Sequence, residues 1–250
     1  MKNLIAAIAF ASLVGAGSSS ATVLFGSIVE FGGPDDLSLD PAQAVIAMDV
    51  NGDFDRTING VLFQTGGQGG TAETVTAGGV SVTTTAANQI NNWTGVQNYT
   101  GADAASATNL AEVMRDIRWN GNPNPINVDI TGLVPGQSYN VQLLFNEGAN
   151  RDRWWDIAVS GNLVVDNFSS EGESVWTNSN GFAYTGDFTA NGAGVIDISM
   201  AANLGGDDRS LAPGADANPI LQGVVVSIPE PSASALLGLG LIGLLARRRR

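Results

Sequence analysis

An all-β sandwich with one short helix is the fold class this sequence predicts, on three observations. Short apolar runs are separated throughout by Gly, Asn, Thr and Ser, the residues that end strands and make turns. Strict alternation occurs in Tyr139-Asn140-Val141-Gln142-Leu143 and in Ile196-Asp197-Ile198-Ser199-Met200, so each strand has one apolar face and one wet face. A helical period is found in one segment, where Leu110, Val113, Met114 and Ile117 fall on a single stripe.

The first element in chain order is a leader. Lys2 precedes an apolar run from Leu4 to Val14, and small residues follow as far as Ala21. A basic start, a short apolar run and a small-residue exit describe a secretory signal helix over residues 1–21, cut after Ala21. Strands are expected at 22–30, 44–50, 57–64, 79–85, 126–131, 139–146, 154–160, 163–165, 182–189, 195–200 and 220–228. By composition 66–71 and 203–218 are loops, and 89–107 reads as a long surface excursion. The helix would be capped by Asn109 and Glu112 and stopped by Gly121 and Pro123. A lone helix of this kind is expected to plug an open end of the sandwich.

Composition removes several functions. Residues 22–228 form one domain, with 23 acidic and six basic residues and a net charge of −17. Such a field repels polyphosphate, which argues against nucleic-acid binding and favours solubility and cations. The chain contains neither Cys nor His. Disulfides, thiol and serine–histidine nucleophiles and the usual zinc sites are therefore excluded.

The C-terminus carries the most specific motif: Pro229-Glu230-Pro231, an apolar stretch 233–246, then Arg247, Arg248, Arg249 and Arg250. Arginines beside an apolar span hold that end on the cytoplasmic side and place the sandwich across the membrane. As a helix the stretch reaches about 21 Å, against a hydrocarbon core of roughly 30 Å. It reads as a temporary anchor whose arginines snorkel. In motif, span and charge, residues 229–250 resemble the PEP-CTERM sorting signal of Gram-negative bacteria, a tail also catalogued as an ice-binding protein C-terminal domain. The resemblance implies export through the secretion machinery and transit through the inner membrane. It also implies processing by exosortase near Pro-Glu-Pro, and delivery to the cell surface or to a biofilm matrix rich in exopolysaccharide.

A second resemblance lies in the middle. Ile130-Thr131-Gly132-Leu133-Val134-Pro135-Gly136-Gln137-Ser138-Tyr139 reads as strand, Pro-Gly turn and strand. With Leu143-Leu144-Phe145-Asn146-Glu147, the run from Arg153 to Gly161 and the closing run 220–228, it resembles a malectin-like or galactose-binding-like jelly-roll sandwich. No sugar-binding signature is carried over with it. Trp154 and Trp155 are neighbours on one strand, so one points into the core and the other is exposed or covered by a loop. With Arg151, Arg153 and Glu147 the pair is a candidate ligand site, and core packing is the competing reading. Asp49, Asn51, Asp53 and Asp55 place oxygens at alternate positions, as calcium loops do. Phe54 stands where such a loop needs Gly, and Gly60 where a closing carboxylate belongs. The alternative there is a solvated turn.

The functional expectation is an exported, non-enzymatic surface or matrix protein, with weak polysaccharide binding or a purely structural and adhesive role. A carbohydrate-active hydrolase would need two carboxylates facing across a cleft.

Overall fold

A computed structural model describes residues 27–146, 153–169, 181–202, 204 and 216–229. The leader, Glu147, Arg151, most of the 203–218 loop and the tail from Glu230 onward lie outside them. Within them the fold is a β-sandwich with one short helix.

A seven-stranded sheet has, in spatial order, β1 (Ser27–Phe31), β13 (Gly181–Thr189), β10 (Ser138–Phe145), β16 (Gly223–Ser227), β2 (Ala44–Asp49), β4 (Val61–Thr65) and β3 (Arg56–Ile58). A six-stranded sheet has β12 (Asn162–Ser169), β11 (Trp154–Val159), β14 (Ile196–Ala201), β9 (Ile126–Thr131), β6 (Val80–Thr85) and β5 (Ala72–Ala77). A third sheet of β15 (Ile220–Leu221), β8 (Ile117–Trp119) and β7 (Asn88–Ile90) closes one end. Among the described residues the strands pair antiparallel except β2 with β4.

Alternation explains the layers. Ile46, Met48, Val141, Leu143, Phe145, Tyr184, Val224 and Val226 face inward from the larger sheet. Val82, Val128, Ile130, Trp155, Ile157, Ile198 and Met200 meet them from the smaller one. The opposite face of the larger sheet is also apolar, through Ala47, Phe63, Leu144, Ala183 and Val225. The helix α1 (Ala104–Val113) covers that face with Leu110, Ala111 and Val113. The helix therefore roofs a sheet and does not plug the sandwich end.

Its boundaries also differ from the sequence expectation. Asp103 is the cap, accepting from the Ala105 and Ser106 amides at 3.2 and 3.0 Å. Asn109 instead donates to the Thr57 carbonyl. The helix stops at Val113 because the Met114 carbonyl is taken by Thr94 Oγ1 at 2.9 Å and Gln222 Nε2 at 2.6 Å. Ile117, counted on the helical stripe, lies in β8.

The expected strand 57–64 is a hairpin, turned at Asn59-Gly60 with φ of 47° and 81°. The expected strand 220–228 breaks at Gln222. Its backbone stays in the larger sheet, bonded to Leu144 and Val50, while β15 leaves to pair with β8. The Pro135-Gly136 turn forms as expected, with Gly136 at φ 77° and the Gln137 amide donating to the Val134 carbonyl. The strands β5, β7 and β8 have no counterpart among the expected ones.

Candidate functional site

At the end closed by the small sheet, loops from four places converge: 50–55 after β2, 66–71 after β4, 91–103 before α1, and 114–116 after it. A chain of side-chain bonds joins them. Asn51 Nδ2 donates to Asn91 Oδ1 at 2.8 Å, Asn91 Nδ2 to Gln68 Oε1 at 2.7 Å, and Gln68 Nε2 to Asp116 Oδ2 at 3.2 Å. The Asn92 amide donates to Asp116 Oδ1, and Arg115 reaches both Asn92 Oδ1 and Glu112. Arg56 lies 3.8 Å from Glu112, 2.8 Å from Asp53 and 4.0 Å from Asp49. The circuit thus begins at Asn51 and returns to Asp49.

Beneath it, Glu73 and Arg118 form a buried ion pair at 2.5 Å. Glu73 also accepts from the Asn51 amide and Thr84 Oγ1. Arg118 donates to the carbonyls of Gly69 and Gly70, which fixes the glycine-rich loop. Burial lifts Asp49 from 3.8 to about 8 even with Arg56 near it, and lifts Asp116 above the ordinary carboxylate range.

The outer surface of the circuit is amide-rich. Gln68, Asn91 and Asn92 are exposed, and Phe54 stands 67% exposed between Asp53 and Asp55. The half-buried Trp93 follows Asn92, with the Arg153 guanidinium 5.9 Å from its ring centre. Aromatic surface flanked by amide donors and acceptors is the chemistry that holds a polyhydroxylated chain.

The four carboxylate and amide residues of the calcium reading do not converge. Asp49 is buried towards Arg56, Asp53 pairs with Arg56, and Asp55 accepts from the Thr65 amide at 2.9 Å. Asn51 turns its side-chain amide to Asn91. Among the described residues no group of three or more acidic side chains is arranged to hold a metal ion. The local cation is a guanidinium.

The tryptophan pair divides as alternation requires. Trp155 is fully buried, edge-on to Phe145 and Phe168. Trp154 lies on the other face, 4% exposed and packed with Ala202 and Ala217. Neither ring is open for stacking. Arg153 is buried and donates to the Asn218 carbonyl at 2.8 Å, with Asp216 at 3.2 Å. Glu147 and Arg151 lie outside the described residues.

Sequence reasoning missed Gln68, Asn91, Asp116 and Arg115, and took Phe54 only as a departure from a calcium loop. The signal in reach was a Phe inside an Asp-rich turn, where no core could use it.

At the other extreme of the chain, Ser227 ends β16 and Pro229 is the last described residue before Glu230.

Residues 227–250 match the PEP-CTERM protein-sorting motif.

The PEP-CTERM match thus begins inside the last strand, and Pro229 is the one residue of its Pro-Glu-Pro that is described. Among the described residues no helix is long and apolar enough to cross a membrane. No curated protein matches the chain in sequence. In structure it is similar to the plant receptor-like kinase ANX2, at 11% identity and TM-score 0.53, covering 76% of this chain and 49% of that one. It is similar too to the ANX1 ectodomain from Arabidopsis thaliana, at 12% identity and TM-score 0.51, covering 76% and 51%. The chain spans about half the length of these ectodomains. The likeness is one of fold alone.

Proposed function

We propose that this is an exported protein, sorted by an exosortase through its PEP-CTERM tail, whose sandwich binds polysaccharide without catalysing its cleavage. The tail supports the route, and the malectin-like fold is compatible with sugar binding. The observation that carries the binding reading is the loop end, where Phe54 is exposed on the 50–55 loop and Gln68, Asn91 and Asn92 are exposed on the loops joined to it through Asn51. The rings would supply stacking surface and the amides would supply directional bonds to hydroxyls. The acidic body favours neutral or amino-bearing polymers over uronates.

The test is binding of the full-length chain to a polysaccharide panel that includes the host's own matrix polymer. Saturable binding is expected. Phe54→Ala should weaken it roughly tenfold, the effect of losing one stacking ring worth about 1–1.5 kcal/mol. Trp154→Phe, inside the packed cluster, should leave it unchanged. Binding to no polymer would remove the carbohydrate reading and leave a structural or adhesive matrix protein.

A further inference from the structure

The PEP-CTERM match starts within the fold. Ser227 is paired with Asn140 on one side and Ala44 on the other, in the middle of the seven-stranded sheet. The Ile228 amide donates to the Gln43 carbonyl at 3.0 Å. Pro229 lines a groove of about 610 Å³, walled otherwise by the 37–43 segment and by residues of β10 and β13. From Pro229 only Glu230, Pro231 and Ser232 precede the apolar stretch that begins at Ala233. Three fully extended residues reach at most about 11 Å. An enzyme that cuts near Pro-Glu-Pro at a membrane surface meets the folded sheet at the same moment.

The chemistry of the groove sets the sign of what lies against it. Asp40 and Asp187 are exposed, and each uses one oxygen internally, on the Ala42 amide and on Asn140 Nδ2, both at 2.8 Å. Among the described residues no basic side chain lines the groove. Like charge disfavours Glu230 folding back into it, and the net −17 body is repelled by anionic head groups. A cationic protein surface is the complement of this field. We infer that the groove bounded by Asp40, Asn140 and Asp187 is a docking surface for the processing enzyme, which grips it through basic side chains while the tail is cut. This rests on the exosortase reading above.

The experiment follows the full-length chain in cells that carry an exosortase, measuring how fast the tailed form becomes the shorter one. Asp40→Lys combined with Asp187→Lys should slow conversion roughly tenfold, as reversed charge on a steering surface does. A flexible Gly-Ser spacer of about ten residues between Ile228 and Pro229 moves Pro229 off the groove but keeps the motif and the Asp40, Asn140 and Asp187 side chains that bound it. It should slow conversion too, because the body is no longer held at the cutting site. Near-ultraviolet circular dichroism checks that each variant is folded. Unchanged rates in both variants would overturn the docking surface and leave the sorting reading standing. A wild-type chain that is never shortened would overturn the sorting reading, and the docking surface with it.

Discussion

Asp49 ends β2 with both carboxylate oxygens buried and without a hydrogen-bond partner, and among the described residues the cation near it is the Arg56 Nε at 4.0 Å. Burial is the larger effect and raises its pKa from 3.8 to about 8. The folded state therefore holds a proton that the unfolded chain releases above pH 3.8. Stability from this group is complete below that pH and is lost as pH rises towards 8. Asp49→Asn removes the dependence while keeping the shape. In urea titrations its advantage over wild type should grow from pH 5 to pH 8, reaching about 1–3 kcal/mol, the cost of a buried polar group left unsatisfied. Parallel curves at the two pH values would show that Asp49 is ionised in the fold.

At the scale of elements, turns decide register. Gly132 follows β9 at φ 78°, and a Cβ there would stand 2.1 Å from the Gly79 carbonyl oxygen. Two constraints coincide, a left-handed backbone and the close approach of the β5–β6 turn. Gly132→Ala should cost about 1–2 kcal/mol for the backbone alone, and more for the contact. Chemical denaturation reads it directly, and a loss under 0.5 kcal/mol, the usual range of surface changes, would mean that the two turns separate easily. Gly136, also at positive φ, has open space where its Cβ would be. Alanine there meets only the backbone penalty.

Across the whole molecule, the buried Glu73–Arg118 pair ties the six-stranded sheet to the small one, and Arg118 also holds the 69–70 loop. Arg118→Leu leaves the Glu73 carboxyl, which burial already pushes above its ordinary value, in the interior without its cation, which should cost about 3–5 kcal/mol. Adding Glu73→Leu should recover most of that loss in thermal melts, because an apolar pair replaces an ion pair at little net cost. If the double variant is no better than the single one, the pair's other bonds, to Asn51, Thr84 and the loop carbonyls, are what hold this end together. Loss of sugar binding in a double variant that stays folded would tie loop order to the proposed site.

Local pattern alone determined much of this protein. The alternating segment 196–200 became β14 with its apolar residues inward, because period two assigns faces without reference to partners. In 139–143 Val141 and Leu143 also face inward, but Gln142 on the opposite face is buried and not wet. The Pro135-Gly136 turn needed only the φ preferences of two residues, and the Pro-Glu-Pro, apolar and arginine order of the tail is a linear signal. Tertiary structure decided what depends on partners distant in sequence. Helix α1 (Ala104–Val113) starts after its cap Asp103 and stops where Thr94 and Gln222 take the Met114 carbonyl. The polar strand β7 exists because β8 is beside it. The circuit from Asn51 through Asn91, Gln68 and Asp116 joins residues up to 48 positions apart, and no local period encodes such contacts. Trp154 and Trp155 show both sides of this division. Alternation put them on opposite faces, and only the folded neighbours Ala202 and Ala217 decided that the outer ring would be covered.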